Sequence, residues 1–243
     1  MEFRACEALK RYDGELAEWI CSLSAPVVDD IEEKNGTVQL PVLKLNTELS
    51  RQKYCYYEHD ELHELPYPLI AIPIKVFSTY VIWDRTNKRV FRNFFDEYVA
   101  RKFPRPENST VFSVINIAFY LPDVHKIGFM IGIKSVAEFA REFKDALKNI
   151  VIEKKRSGED PRISAHSVML TSRKRVIEKD GRKITYYVPD FSINVGKGID
   201  AEFAKELKSF IEEYREYRKR LNMESLKVAE GHESGEDIDD IDI

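Results

Sequence analysis

The stretch "SAHSVMLTSRKRVIEKDGRKITYYVPDFSINV", residues 164–195, limits the possible folds more than any other part of the chain. Asp180-Gly181 stands between two runs rich in β-branched and aromatic residues. A tight hairpin turn needs positive backbone φ, which Gly and Asp adopt with little strain, so the stretch predicts a long antiparallel hairpin. Two strands alone are barely stable in water, so the rest of the chain has to supply more sheet and a cover for it.

Other segments meet that demand. "PLIAIPIKVFSTYVIWD" (68–84) reads as one or two strands, and "VFRNFFDEYVARKF" as a strand followed by a short helix. "TVFSVINIAFYL" is apolar almost throughout, the pattern of a strand buried on both faces, and "KIGFMIGI" follows as another strand. "TVQLPVLKL" reads as an edge or bulged strand because Pro41 cannot donate to a ladder. Residues 2–23 carry Phe3, Leu9, Leu16, Trp19, Ile20 and Leu23 near helical spacing, weakened by Gly14. A second helix starts at Ser135, which forms a capping-box pattern with Glu138, and presents Val136, Phe139, Phe143, Leu147 and Ile150 on one face. A third is predicted over 199–221, with Phe203, Leu207, Phe210, Ile211 and Tyr214 on one face.

This pattern predicts an α+β fold with a predominantly antiparallel sheet or a small barrel. The expected organisation is an N-terminal helix (1–25), a single domain (26–221) and a disordered acidic tail (222–243).

Charge is unevenly placed. Residues 1–64 hold seven bases and fourteen acids, residues 65–225 hold 30 bases and 21 acids, and residues 226–243 hold one base and seven acids. A basic middle between acidic ends points to a polyanionic partner; an uneven, highly charged surface is the other reading. Abundant Lys and Glu with little Gln is the balance of hyperthermophile proteins. No apolar run is long enough to span a membrane, the N-terminus is charged throughout, and three cysteines make no disulfide framework, so a cytoplasmic protein without membrane contact is expected.

Known chemical motifs are missing. The sequence has no phosphate-binding glycine loop, no G-x-S-x-G and no dinucleotide fingerprint. Cys55, His59 and His63 in "CYYEHDELH" would share a face if helical and offer zinc-type ligands; a polar loop with ordinary histidines is the alternative. No catalytic residue, cofactor or metal is therefore expected, and a metal-dependent nuclease stays a minor alternative.

Cations and aromatic residues do recur together. "IWDRTNKRVFRNFF" holds Trp83, Arg85, Lys88 and Arg89, and the hairpin holds Arg173, Arg175, Arg182, Lys183, Tyr186 and Tyr187. Single-stranded nucleic acid is bound by that mixture, with cations on phosphates and aromatic rings stacked on bases. The chain ends in "GHESGEDIDDIDI", where Asp237, Asp239, Asp240 and Asp242 alternate with Ile238, Ile241 and Ile243. Acids there can occupy the chain's own cationic groove, and isoleucines among acids can dock in a partner's basic-rimmed apolar pocket.

The ending "EDIDDIDI" resembles the acidic tails of phage- and plasmid-type single-stranded DNA-binding proteins with an oligonucleotide-binding fold. "LPVLKLNTE", "IGFMIGIKSVAEFAREFKDAL" and "ITYYVPDFSIN" resemble the bodies of such proteins. The resemblance implies a non-enzymatic accessory protein of replication or recombination, carried by a mobile element. Its partners would be single-stranded DNA or RNA, a replication or repair protein docking the tail, and further copies of itself. The other class of reading is a protein-interaction or assembly module without nucleic-acid binding.

Overall fold

The computed structural model describes residues 3–24, 40–46, 53–58, 61–179 and 181–233. It is α+β, and every strand pairing with a resolved register is antiparallel. The chain divides into two compact units, Met1–Phe77 with Ile115–Ile211, and Ser78–Val114 with Glu212–Ile243.

In the first unit, α1 (Ala5–Leu9) and α2 (Gly14–Ser24) precede a three-stranded sheet of β1 (Lys44–Asn46), β2 (Lys53–Glu58) and β3 (Glu61–Glu64). The main sheet starts with the sixteen-residue β4 (Leu69–Asp84), which passes into the second unit at Ser78. There it pairs with β5 (Arg89–Phe94), which leads into α3 (Glu97–Lys102). Strand β6 (Ser109–Leu121) returns to the first unit, followed by β7 (Lys126–Ile131) and α4 (Ser135–Ser157). The hairpin β8 (Ser167–Lys179) and β9 (Arg182–Asn194) comes next, and α5 (Ala201–Glu233) ends the described chain. The six-stranded sheet runs β7-β6-β4-β8-β9, with β5 beside β4. It is open, with β7 and β9 at its two ends, so the described strands do not close into the small barrel expected.

The hairpin forms as its sequence predicts. Its register runs unbroken from Ser167 opposite Asn194 to Lys179 opposite Arg182, and Gly181 takes φ +72°. Helix α4 covers the sheet of the first unit with buried Phe139, Ala140, Phe143 and Leu147, packed among Ile117, Phe119 and Leu170. Phe139 and Phe143 meet Phe191 edge-on, at 5.5 and 5.0 Å. Each buried ring of this kind stabilises the fold by about 1.5–3 kcal/mol.

The second unit has a smaller core of Ile82, Phe94, Val99, Ala100 and Leu226. The Asp96 carboxylate accepts from Val99 N–H at 3.1 Å and so caps α3. Buried Asn222 accepts from Phe95 N–H at 3.3 Å.

Three local expectations are corrected. The predicted first helix is two helices: α1 ends at Leu9, and buried Asp13 caps α2 by accepting from Leu16 N–H at 2.9 Å. The capping box at Ser135 does not form; Lys134 holds the cap position at φ +49°, and Glu138 turns to Arg175. The last helix does not end at Leu221 but runs to Glu233, because Asn222 and Leu226 are buried in the second unit, so residues 222–233 are not a disordered tail. Cys6 and Cys21 are also joined in a disulfide across α1 and α2, and Cys55 is a buried free thiol.

Candidate nucleic-acid interface

The basic and aromatic residues singled out in the sequence fall into two groups, one in each unit. In the first unit they lie on the β8–β9 ribbon. Directly opposed residues of an antiparallel pair share a face. Arg175 stands opposite Tyr186, Ile177 opposite Ile184, Lys174 opposite Tyr187, and Glu178 opposite Lys183.

The two arginines nearer the base of the ribbon are committed to the protein itself. Arg173 donates to Glu142 at 2.7 Å, and Arg175 to Glu138 at 2.6 Å, both carboxylates on α4. Arg173 also lies 3.7 Å from Glu138. These pairs hold the ribbon to the helix, and they take two of the predicted phosphate ligands out of free use. Lys174 between them, and Arg182 and Lys183 further along, are exposed and form no ion pair among the described residues. Tyr186 and Tyr187 are half-exposed. Val176, Ile177 and Ile184 are 54%, 44% and 43% exposed, an apolar end for a two-stranded projection that the sequence analysis had not marked.

In the second unit the residues surround the turn from β4 to β5. Trp83 is half-buried on β4, whereas Arg85, Lys88 and Arg89 are exposed. The turn is tightly fixed. Buried Asp84 accepts from Asn87 N–H at 3.0 Å and from the Asn87 amide at 2.6 Å, and these bonds hold its carboxyl below the usual range. Lys88 adopts φ +51°. Arg85 N–H donates to Asn108 O at 3.0 Å, and its Nε donates to Thr110 at 2.7 Å, which ties the turn to the segment entering β6.

Between turn and segment lies a hollow of about 390 Å³, lined by Asp84, Thr86, Asn87, Arg89, Phe91, Pro106, Glu107 and Asn108. The β4–β5 register passes from Ile82 opposite Arg92 to Trp83 opposite Val90, so Phe91 is left out as a bulge. Bulges redirect side chains, and the Phe91 ring is 44% exposed at this hollow. Sequence reasoning missed the site because a bulge leaves no mark in alternating hydrophobicity. Nearby, the Arg92 guanidinium lies 4.5 Å from the Phe103 ring centroid and donates to Ser225 at 3.1 Å.

The zinc-type pattern falls apart on a hairpin. Cys55 pairs with Glu64 and Tyr56 with His63, so Cys55 and His63 point to opposite faces of β2–β3. The Cys55 thiol is buried, and burial pushes its pKa up; the His63 ring stacks on Tyr56 at 5.1 Å. His59 and the tail residues Asp237, Ile238, Asp239, Asp240, Ile241, Asp242 and Ile243 lie outside the described residues. Among the described residues, potential metal ligands converge at Cys6, Glu7 and Cys21, where the two sulfurs are already bonded to each other. No described helix is long and apolar enough to cross a membrane.

The chain matches no protein-family model, and no curated protein or solved structure is significantly similar to it.

Proposed function

We propose that this chain binds single-stranded nucleic acid, as a non-enzymatic accessory of replication or recombination. The observation that carries the reading is the β8–β9 ribbon, where exposed Lys174 and Lys183 share one face with half-exposed Tyr187, exposed Arg182 shares the other with half-exposed Tyr186, and none of the three cations forms an ion pair among the described residues. Cations free of internal partners remain available to phosphates, and the tyrosines offer faces to bases. The cations around the β4–β5 turn, Arg85, Lys88 and Arg89, extend the same chemistry to the second unit. The acidic residues 237–243 compete for these cations and dock a replication or repair protein.

The test is fluorescence anisotropy with labelled oligothymidine and a matching duplex over a salt series. The reading expects tighter single-strand binding. It also expects a slope of log affinity against log salt that flattens by roughly 0.7 for each phosphate contact removed from a single strand. The pair Arg182→Ala and Lys183→Ala should flatten it by about twice that. No binding of either polymer at low salt would end the reading.

One observation favours a second reading. The aliphatic end of the ribbon, Val176, Ile177 and Ile184, suits a protein-interaction or assembly module. An oligomer whose size is independent of nucleic acid, and which Ile177→Ser with Ile184→Ser disperses, would support it.

A further inference from the structure

We infer that the hollow beside the β4–β5 turn is a nucleobase pocket that takes one unstacked guanine. The inference rests on the nucleic-acid reading above and adds the base that the second unit selects.

The aromatic platform is Phe91. The bulge in β5 frees this ring from the ladder and leaves it 44% exposed at the hollow. Every base has a face that stacks on such a ring, so Phe91 alone would bind without preference. The polar rim supplies preference. Glu107 is an exposed carboxylate on the lining, and an ionised carboxylate only accepts hydrogen bonds. Guanine is the base whose pairing edge presents two adjacent donors, N1–H and the N2 amino group, to a carboxylate. Adenine and cytosine pair one amino group with an acceptor, and thymine has a single N–H between two carbonyls. The side-chain amides of Asn87 and Asn108, on the same lining, supply donors for guanine O6 and N7. Arg89, at the same rim, is placed for the phosphate of the bound nucleotide. A carboxylate repels phosphate, so Glu107 favours a base edge over the backbone in the hollow itself.

The turn that carries part of the rim is also set before any ligand arrives. Asp84 holds Asn87 through two hydrogen bonds, and the Arg85 backbone and side chain fasten the turn to Asn108 and Thr110. Binding would therefore have to order the side chains of Glu107, Arg89 and Phe91 but not the turn itself.

The test uses the full chain and four labelled oligomers of about fifteen nucleotides, one all thymidine and three with a single central guanine, adenine or cytosine. The guanine oligomer should bind about tenfold more tightly than the others. Phe91→Ala should reduce that affinity by about tenfold or more, the range seen when a stacking ring is removed. Glu107→Gln should remove the preference for guanine, so that all four oligomers bind with equal affinity. Both side chains are exposed, and an unchanged melting temperature would verify that each variant is folded. Equal affinity of the wild type for all four oligomers would overturn the pocket and leave the nucleic-acid reading standing. Absence of binding to all four would overturn both.

Discussion

The ribbon of the first unit and the turn of the second hold similar residues, but the fold treats them differently. On the ribbon, Arg173 and Arg175 lie within reach of an amphipathic helix whose exposed side carries Glu138 and Glu142, and the ion pairs absorb them. At the turn, the buried carboxylate of Asp84 is satisfied by Asn87, and Arg85, Lys88 and Arg89 stay exposed around it. A count of bases weights all these residues alike. What separates them is whether an ion pair closes within the fold, as it does from Arg173 and Arg175 to the carboxylates of α4, and that depends on which elements pack together.

The comparison can be broken most severely through the cores beneath the two sites. Phe143→Ala, under the ribbon, should lower stability by about 3–5 kcal/mol, and Leu226→Ala, in the second core, by about 2–5 kcal/mol, read from urea unfolding. Next in size is the contrast among ribbon cations. Arg182→Ala with Lys183→Ala should weaken oligothymidine binding and flatten its salt slope clearly more than Arg173→Ala with Arg175→Ala. Equal effects would mean that the α4 carboxylates do not hold their arginines in solution.

A gain of function sharpens the same point. Glu138→Gln with Glu142→Gln releases both arginines, and affinity for oligothymidine should rise at low salt. Because exposed ion pairs contribute about 0–1 kcal/mol each, the melting temperature should move little.

The smallest expected effect lies away from both sites. Asp13 accepts from Tyr120 O–H at 2.5 Å and contacts His125 Nδ1 at 2.8 Å. The hydrogen bond to Asp13 raises the His125 pKa against the opposing effect of burial. Stability from a raised histidine is complete below its unfolded value of about 6.5 and is lost as pH rises through the higher folded value. Burial pushes the Asp13 carboxyl up, but bonds from Leu16 N–H, Tyr120 and His125 outweigh it and leave its pKa lowered. The stability from Asp13 is therefore lost only as pH falls through that lowered value. A melting series upward from about pH 6.5 should show a slight decline that His125→Gln abolishes, slight because the side chain is 40% exposed.

Much of the fold was legible in the sequence. Asp180-Gly181 fixed the hairpin, and the apolar run at 110–121 marked a strand whose later half is buried on both faces. The stripe Phe139, Phe143 and Leu147 marked α4. The misses share a cause, which is that a distant partner decides the local outcome. Asp13 caps the start of a second helix where the sequence predicts one continuous helix, and it is held there by Tyr120 and His125, more than a hundred residues away in the chain. Glu138 abandons its cap for Arg175. The site was legible as residue types, but Phe91 gained its prominence from a slip in register that no spacing rule reveals.

Helix α5 carries one more consequence. The acidic run counted from residue 226 begins inside this helix, and its first residue, Leu226, is one of the five buried residues of the second core. A chain shortened at Ser225 would therefore lose a structural side chain together with its acids, and any change in binding would mix unfolding with loss of charge. Removing residues 234–243 alone takes away Glu236 and all four aspartates of the ending and leaves Leu226 in place. The informative cut is set by where the helix stops being needed, eight residues beyond where the charge begins to turn.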